Sequence, residues 1–371
     1  MVIGEQASTI RVASIEDVQE AVRTHARLRP VAGRTKPALS ALSAGVPQLL
    51  DVSGLTGVIE YQPAECTFTA RAATPVAEIE RMLTADGLYL PFEPPLADAG
   101  ATLGGTVAAG LSGPGRFRYG GVRDFLLGVQ FVDGEARVLR GGSKVVKNAA
   151  GFSLQHAFLG SLGRLSVMTE VTFKVFPRAP AMLTVAMEFA SFAGALDALV
   201  KLRRSTFELE AVDLLPSGAL IVRLGGIDEM LKTRAAAMVA FLMPGEVNLL
   251  TAAEGDAEWH AARHFRWLGG SASPLVKVAI TPGRIAKFES ALAAAAAGQD
   301  VPRRYSAGGE VVWLGWPGTT EALDCLLKEC GLSGLVLTGS AGSSSPLIGV
   351  PADTVFAGRL RETFDPRGVF G

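Results

Sequence analysis

In the N-terminal half of the chain, short runs in which apolar and polar residues alternate predict strands, and two segments with helical periodicity predict helices. Residues 14–28 predict a helix, because Val18, Ala21 and Val22 form an apolar stripe behind Ser14, a residue type that caps helices. Residues 75–86 predict a second helix that ends at Gly87. Strands are predicted at residues 30–36 (running into a turn), 49–52, 57–61, 66–71, 126–131, 136–140 and 169–176.

The pattern changes after Pro177 and Pro180, because two prolines in four residues interrupt a strand and are typical of a linker. Beyond them, strands and helices alternate in two similar rounds, which predicts one antiparallel sheet with helices on one face, the split βαβ arrangement. The predicted fold class is therefore α+β. The predicted domains are residues 1–178, residues 179–345 and a C-terminal segment, residues 346–371, that returns to the first domain.

Composition narrows the function classes. Of 371 residues, 35 are basic and 36 are acidic, so no overall charge favours binding to nucleic acid. No uninterrupted apolar run approaches the roughly 18 residues of a membrane-spanning helix, so we expect no direct membrane insertion. The charged N-terminus is unlike a signal peptide, and three cysteines are too few for a disulfide framework. We therefore expect a globular protein of the cytoplasm.

Residues 91–121 are dense in glycine, alanine and proline. A backbone without large side chains can direct successive N–H groups at a phosphate. No Lys or Arg lies between Pro91 and Gly115, so a pyrophosphate here would be held by amide dipoles and a helix N-terminus. Close packing of small residues is the alternative interpretation. Neither a Walker motif nor a Rossmann G-x-G-x-x-G motif after a strand is present.

Four segments, in order, resemble the flavin-binding motifs of the vanillyl-alcohol-oxidase family, also called the PCMH-type FAD-binding family. Residues 32–36 are similar to its R-G-G-G-[ST]-K loop, and residues 100–105 to its G-A-T-[IL]-G-G signature. Residues 118–128 resemble R-Y-G-x-[VM]-R-D-x-[VL]-L-G. Residues 147–170 resemble K-N-x-x-G-Y-D-L followed by G-S-x-G-x-L-G-V-[IL]-T-E.

This resemblance implies a PCMH-type FAD-binding domain made of two α+β subdomains, together with a smaller split βαβ, ferredoxin-like cap domain. FAD would lie between the subdomains and face the cap. No histidine occurs in residues 30–40 or 95–125, so FAD is expected to be non-covalent. The resemblance places the cofactor on Ala32, Gly33, Arg34, Thr35, Lys36, Pro95, Gly100, Ala101, Thr102, Gly104, Gly105, Gly113, Gly163, Leu165 and Val167.

The sequence also departs from the family pattern. Ala32 stands where the family has Gly, Gly110 where many members have Asn, and Phe152 and Ser153 where members have Tyr and Asp. These departures leave open a structural partner protein whose flavin pocket is degenerate.

Larger relatives that oxidise 2-hydroxy acids carry a His-x-Gly-Asp-Gly-Asn-x-His metal site, which this chain lacks. His260 and His264 share a helix face, but no third ligand is evident in the sequence, so no metal site is predicted. The same predicted helix, residues 258–267, resembles a segment of smaller relatives. The candidate substrate or interface residues are Arg118, Arg123 and Arg263, since guanidinium groups pair with planar anions. No catalytic residue is assigned.

Residues 109–128 most resemble the FAD-binding accessory subunits of glycolate oxidases. That resemblance implies an FAD-dependent oxidoreductase complex in which a larger catalytic flavoprotein oxidises glycolate to glyoxylate and an iron–sulfur subunit passes the electrons on. The complex would be cytoplasmic or held at the inner membrane through its partners. The alternative hypotheses are a stand-alone dehydrogenase of a small 2-hydroxy acid and the degenerate structural partner.

Overall fold

In the computed structural model, the first helix of the first subdomain is capped by Ser14. Its Oγ accepts a hydrogen bond from the Asp17 amide (3.1 Å), and the Asp17 carboxylate accepts one from the Ser14 amide (3.0 Å). This helix ends at Thr24, earlier than predicted, and Leu28 instead begins a strand. This helix packs with a three-stranded parallel sheet of strand order β1-β3-β2. The elements of the subdomain are β1 (Thr9–Arg11), α1 (Ile15–Thr24), β2 (Leu28–Val31) and β3 (Gln48–Asp51).

The structure describes residues 9–40, 48–145, 153–270, 273–339, 345–351 and 354–371. The second subdomain is a five-stranded antiparallel sheet, order β4-β5-β9-β7-β8, and its core includes the stacked rings of Phe68 and Phe173, whose centroids are 5.8 Å apart. The elements of this subdomain are β4 (Val58–Gln62), β5 (Thr67–Arg71), α2 (Val76–Ala85), β6 (Leu88–Tyr89), α3 (Leu103–Ala109), α4 (Arg116–Tyr119), α5 (Val122–Phe125), β7 (Leu126–Val132), β8 (Val138–Gly142), β9 (Val167–Lys174) and β10 (Phe176–Pro177).

The cap contains one nine-stranded antiparallel sheet, order β14-β11-β13-β12-β16-β17-β15-β18-β19. It is a doubled version of the predicted split βαβ unit: within each half, the strands follow the ferredoxin-like order 4-1-3-2, and β12 joins β16 where Leu214 pairs with Tyr305. The elements are β11 (Ala181–Glu188), α6 (Phe192–Arg203), β12 (Ala211–Leu214), β13 (Ala219–Gly226), α7 (Asp228–Leu242), β14 (Glu246–Leu250), α8 (Ala252–Arg263), β15 (Leu275–Ala279), α9 (Pro282–Ala295), β16 (Arg303–Ser306), β17 (Val311–Gly315), α10 (Thr320–Cys330), β18 (Ser333–Val336) and β19 (Leu347–Gly349).

Alternation along the cap strands sends side chains to two different interfaces. On β15, Val276 and Val278 pack in the core beneath the helices, whereas Leu275 joins an apolar cluster with Trp313. That second cluster also contains Ala109 and Leu162 of the first two subdomains. The cap sheet therefore packs against the region that the sequence analysis assigns to FAD.

The C-terminal segment lies against the first subdomain. Helix α11 (Thr354–Phe364) is followed by Val369 and Phe370, which are buried in the same apolar cluster as Leu28. The Val369 carbonyl accepts a hydrogen bond from the Leu28 amide (2.7 Å). No helix within the described ranges is both long and apolar enough to cross a membrane.

Candidate functional site

A cleft of about 790 Å³ lies between the two N-terminal subdomains. Its walls are the loop after β2, the first turn of α3 and the segment before β9. Ten of the fifteen residues that the resemblance assigns to FAD line this cleft, namely Ala32, Gly33, Arg34, Thr35, Lys36, Thr102, Gly104, Gly105, Gly163 and Val167. The fold thus brings together lining residues of three motifs that are more than 50 residues apart in the sequence.

The loop after β2 offers free backbone donors. Among the described residues, no acceptor receives a hydrogen bond from the amides of residues 32–35. Successive unpaired amides in a turn form a concave site for an anion. This loop therefore supplies the donors that a pyrophosphate requires.

The amides in the first turn of α3 are paired within the chain. The amide of Leu103 donates to the Thr74 carbonyl (3.1 Å) and that of Gly104 to the Ala72 carbonyl (2.7 Å). The amide of Gly105 donates to Thr102 Oγ1 (3.2 Å). Capping and packing already use these three amides, so a pyrophosphate would not receive hydrogen bonds from them. That this helix N-terminus helps to hold the pyrophosphate stays a prediction.

Gly33 marks a close crossing of two motifs. A Cβ atom at this position would lie 2.0 Å from the Gly100 carbonyl oxygen, so only glycine fits. Ala32, at the preceding position, is partly buried and packs against the apolar cluster that contains Leu50.

Two further groups fit an anionic cofactor. Lys36 is buried, its Nζ donates to Thr35 Oγ1 (2.9 Å), and burial lowers its pKa to about 8. Ser166 also lines the cleft, and its buried Oγ has no partner among the described residues. A bound phosphate or ribityl hydroxyl would satisfy both groups. The sequence analysis did not single out Ser166.

The remaining five residues assigned to FAD lie outside the lining of the cleft: Pro95, Gly100, Ala101, Gly113 and Leu165. Gly100 supports the crossing with Gly33, Ala101 and Leu165 are buried in the core, and Gly113 packs against the Glu93 carbonyl. Their motif positions therefore serve the backbone geometry behind the cleft. The motif segment at residues 147–152 lies outside the described residues.

A second cavity, of about 980 Å³ and open to solvent, adjoins the first and shares Ala109 as a wall. It lies between the N-terminal subdomains and the cap, and its lining includes the cations Arg116, Arg123 and Lys277. Two carboxylates also line it: Asp124 accepts a hydrogen bond from the Gly121 amide, and Glu310 pairs with Arg203. Within the described ranges, no carboxylate forms an ion pair with any of these three side chains. This cavity is therefore suited to a small anion.

Lys277 is a charged residue on an otherwise apolar part of the cap sheet. It lies on β15 with Leu275, on the face that packs against the cofactor subdomains, and its Nζ donates to the Gly110 carbonyl (3.2 Å). Burial, with a contribution from Arg116, lowers the pKa of Lys277 to about 8. A lysine in such a place is costly unless an anion compensates it.

Of the three arginines proposed for substrate or partner binding, Arg118 and Arg263 form contacts within the chain. Arg118 Nε lies 3.5 Å from Glu210, on the cap. Arg263 Nε donates to the Pro94 carbonyl (2.7 Å), and its guanidinium pairs with Glu80 of α2. Both arginines link the cap to the FAD-binding part of the chain, whereas Arg123 lines the second cavity.

Comparison with known proteins agrees with this geometry. Residues 7–142 match the family described as FAD binding domain. This part of the chain is an FAD-binding domain of the PCMH type, and FAD is its cofactor. Two solved structures of alkyldihydroxyacetonephosphate synthase share the fold; one has a TM-score of 0.71 at 17% identity and covers 97% of this chain and 76% of that chain.

Among curated proteins, the chain is similar to glycolate oxidase subunit GlcE of Escherichia coli, with 40% identity over 178 residues, which are 48% of this chain and 50% of that protein. It is also similar to a D-lactate dehydrogenase of Archaeoglobus fulgidus, with 33% identity over 31% of this chain and 26% of that protein. Glycolate oxidase subunit GlcD of Bacillus subtilis is 28% identical over 33% of this chain and 26% of that protein. The match thus spans half or less of these relatives.

Proposed function

We propose that this chain is the FAD-binding subunit of a complex that oxidises glycolate to glyoxylate. The observation that carries this proposal is the wall shared at Ala109, where the FAD cleft meets a cavity lined by Lys277, Arg116 and Arg123. The similarity to subunit GlcE supports the choice of glycolate. A larger catalytic flavoprotein and an iron–sulfur subunit are the proposed partners, in the cytoplasm or at the inner membrane.

The arrangement suits a small 2-hydroxy acid. Oxidation of glycolate removes a hydride from the alcohol carbon and a proton from its hydroxyl, and bound FAD would supply the two-electron acceptor. In our proposal Lys277 and Arg116 bind the carboxylate of the 2-hydroxy acid or of its product in this chain, whereas the larger catalytic flavoprotein removes the hydride. Charge-assisted hydrogen bonds to carboxylates are about twice as strong as neutral ones. Trp313 and Leu335 are the neighbours of Lys277 on the two adjacent strands, and both are buried in an apolar cluster.

The residues of the FAD cleft have a separate task. The free amides of residues 32–35 and the amine of Lys36 would hold the pyrophosphate, and Ser166 would bind a hydroxyl group of the same cofactor. These contacts would hold FAD in the cleft, of which Ala109 is also a lining residue. Cofactor binding and substrate binding are thus assigned to different side chains.

The first test is the visible absorbance of the purified chain, before and after addition of FAD, followed by anaerobic glycolate. We expect bound flavin that glycolate does not bleach until the catalytic subunit is added. A protein that stays colourless after FAD addition would contradict the proposal and favour the degenerate partner.

Bleaching of the isolated chain would favour the stand-alone dehydrogenase, for which one observation argues. His156 lines the second cavity, and burial lowers its pKa, so that it is neutral at pH 7 and able to accept a proton. In that case a His156→Gln variant should retain FAD but bleach much more slowly.

A second test concerns Lys277. Oxalate, a dicarboxylate that the flavin cannot oxidise by hydride removal, is titrated into the FAD-loaded protein while the flavin spectrum is recorded. We expect Lys277→Met to weaken oxalate binding by about tenfold or more, since a hydrogen bond to a charged group contributes about 1.5–3 kcal/mol. In the unmodified protein, affinity should also fall as pH rises through about 8, because deprotonated Lys277 cannot attract an anion.

Lys328→Met is the matched control, because Lys328 is an exposed cap lysine that pairs with Asp324. It should leave oxalate binding unchanged. Equal oxalate affinity in the Lys277→Met variant, with FAD still bound, would remove Lys277 from the anion site without affecting the assignment of the FAD cleft.

A further inference from the structure

The fold brings a third potential metal ligand to the two histidines, His260 and His264, for which no third ligand is evident in the sequence. His260 lies in the last turn of α8 and His264 directly follows the helix, and their ring centroids are 4.4 Å apart. A loop of the FAD-binding part brings Asp98 to them: its Oδ2 is 2.8 Å from His260 Nε2, and its Oδ1 is 3.8 Å from His264 Nε2. One ligand atom from each of the three residues lies within 4.8 Å of the others.

We propose that Asp98, His260 and His264 form a binding site for a divalent transition-metal ion, Zn²⁺ foremost, that joins the cap to the FAD-binding part of the chain. Two imidazole nitrogens and one carboxylate oxygen are ligands that Zn²⁺ accepts, with water in the fourth position. Zinc ligands lie about 2.0–2.2 Å from the metal, so tetrahedral ligand atoms are about 3.4 Å apart. The three atoms therefore need to move by about 1 Å or less on average.

The surroundings hold the two halves of the site in place. Arg263, on the same helix, donates to the Pro94 carbonyl and pairs with Glu80, which fixes α8 against the loop that carries Asp98. The His264 side chain is only 5% exposed, so its ring cannot turn freely away. Ligands held in this way lose little conformational entropy when a metal binds.

One neighbour competes with the metal. Arg266 Nη2 lies 3.1 Å from Asp98 Oδ2, the same oxygen that contacts His260. The Arg266 side chain is 62% exposed, so it can move into water when a metal takes that oxygen. A cation so close lowers metal affinity through charge repulsion. Removal of the Arg266 charge should therefore strengthen metal binding, whereas removal of a ligand should weaken it.

The test is calorimetric titration of the chelator-treated, FAD-loaded protein with Zn²⁺, repeated with Co²⁺ to follow the visible absorption of the metal. We expect one equivalent of Zn²⁺ to bind and an absorption of Co²⁺ typical of four-coordinate nitrogen and oxygen ligands. His260→Ala and Asp98→Asn should each weaken binding by about tenfold or more. Arg266→Gln should strengthen it.

His25→Ala is the matched control, because His25 lies at the end of α1, in the first subdomain, and should leave the titration unchanged. FAD retention reports in every variant that the chain is folded, independently of the metal. No binding of Zn²⁺ at millimolar concentration, or equal binding in the His260→Ala and Asp98→Asn variants, would overturn the proposal. Such a result would leave the proposed role in glycolate oxidation untouched.

Discussion

Gly33→Ala is expected to reduce FAD retention by about tenfold or more, corresponding to about 1.4 kcal/mol of binding free energy. The added Cβ would lie 2.0 Å from the Gly100 carbonyl oxygen, so one of the two crossing loops has to move. The loop at residues 32–35 carries amides that have no acceptor among the residues described, and its displacement would take these proposed donors away from the pyrophosphate. Overpacking costs typically about 1–3 kcal/mol of folding stability as well. Flavin absorbance per protein after gel filtration measures the first effect, and urea unfolding measures the second.

Gly283→Ala provides the control, because a Cβ at Gly283 in α9 meets no atom within 4 Å. It should leave FAD retention unchanged and raise stability slightly, since alanine restricts the unfolded chain. Full FAD retention by the Gly33→Ala variant would show that the crossing of the two loops does not position the cofactor donors.

The second large effect is expected at Asp213, which is fully buried on β12. Its carboxylate accepts hydrogen bonds from Arg304 Nε (2.5 Å) and Ser306 Oγ (2.9 Å), and Arg304 also pairs with Glu258 of α8. Asp213→Ala leaves the buried Arg304 charge with only one partner. Breaking a buried pair in this way costs about 3–5 kcal/mol, and the contact with Glu258 favours the lower end.

Urea unfolding followed by circular dichroism should therefore show a marked fall in the midpoint for Asp213→Ala. Glu60→Ala, which removes an exposed partner of Lys144, should change stability by less than about 1 kcal/mol. FAD affinity should stay unchanged in both variants, because neither residue lines the cofactor cleft. A loss of stability no larger for Asp213→Ala than for Glu60→Ala would show that Arg304 finds other compensation.

The charged strands explain where the sequence-based prediction of the cap was incomplete. Strands β12 and β16 were not predicted, because Asp213, Arg303 and Arg304 interrupt the apolar alternation that indicates a strand. These charges become compatible with burial only when β12 and β16 lie side by side. Strand β14 was missed because four of its five residues are exposed at the edge of the sheet.

Two predicted helices end earlier in the structure than the sequence pattern indicates. The helix predicted over residues 258–267 ends at Arg263, because Phe265 adopts a left-handed conformation with φ of 57°. Asp17 and Ser14 fix the start of α1 as predicted, but its end moved from residue 28 to Thr24. Capping is encoded by a few adjacent residues, whereas the end of a helix depends on what the following strand pairs with.

The sequence by itself determined the α+β class, the FAD-binding motifs and the cofactor, because these depend on short segments whose backbone geometry requires particular residues. Only the tertiary structure decided which donors remain free: it used the amides of Leu103 and Gly104 for packing, whereas those of residues 32–35 have no partner in the described part of the chain. It also placed Lys277 against Gly110, and Asp98 beside His260 and His264. Contacts between residues about 160 apart arise from the docking of the cap on the FAD-binding part, and no local pattern in the chain encodes that distance.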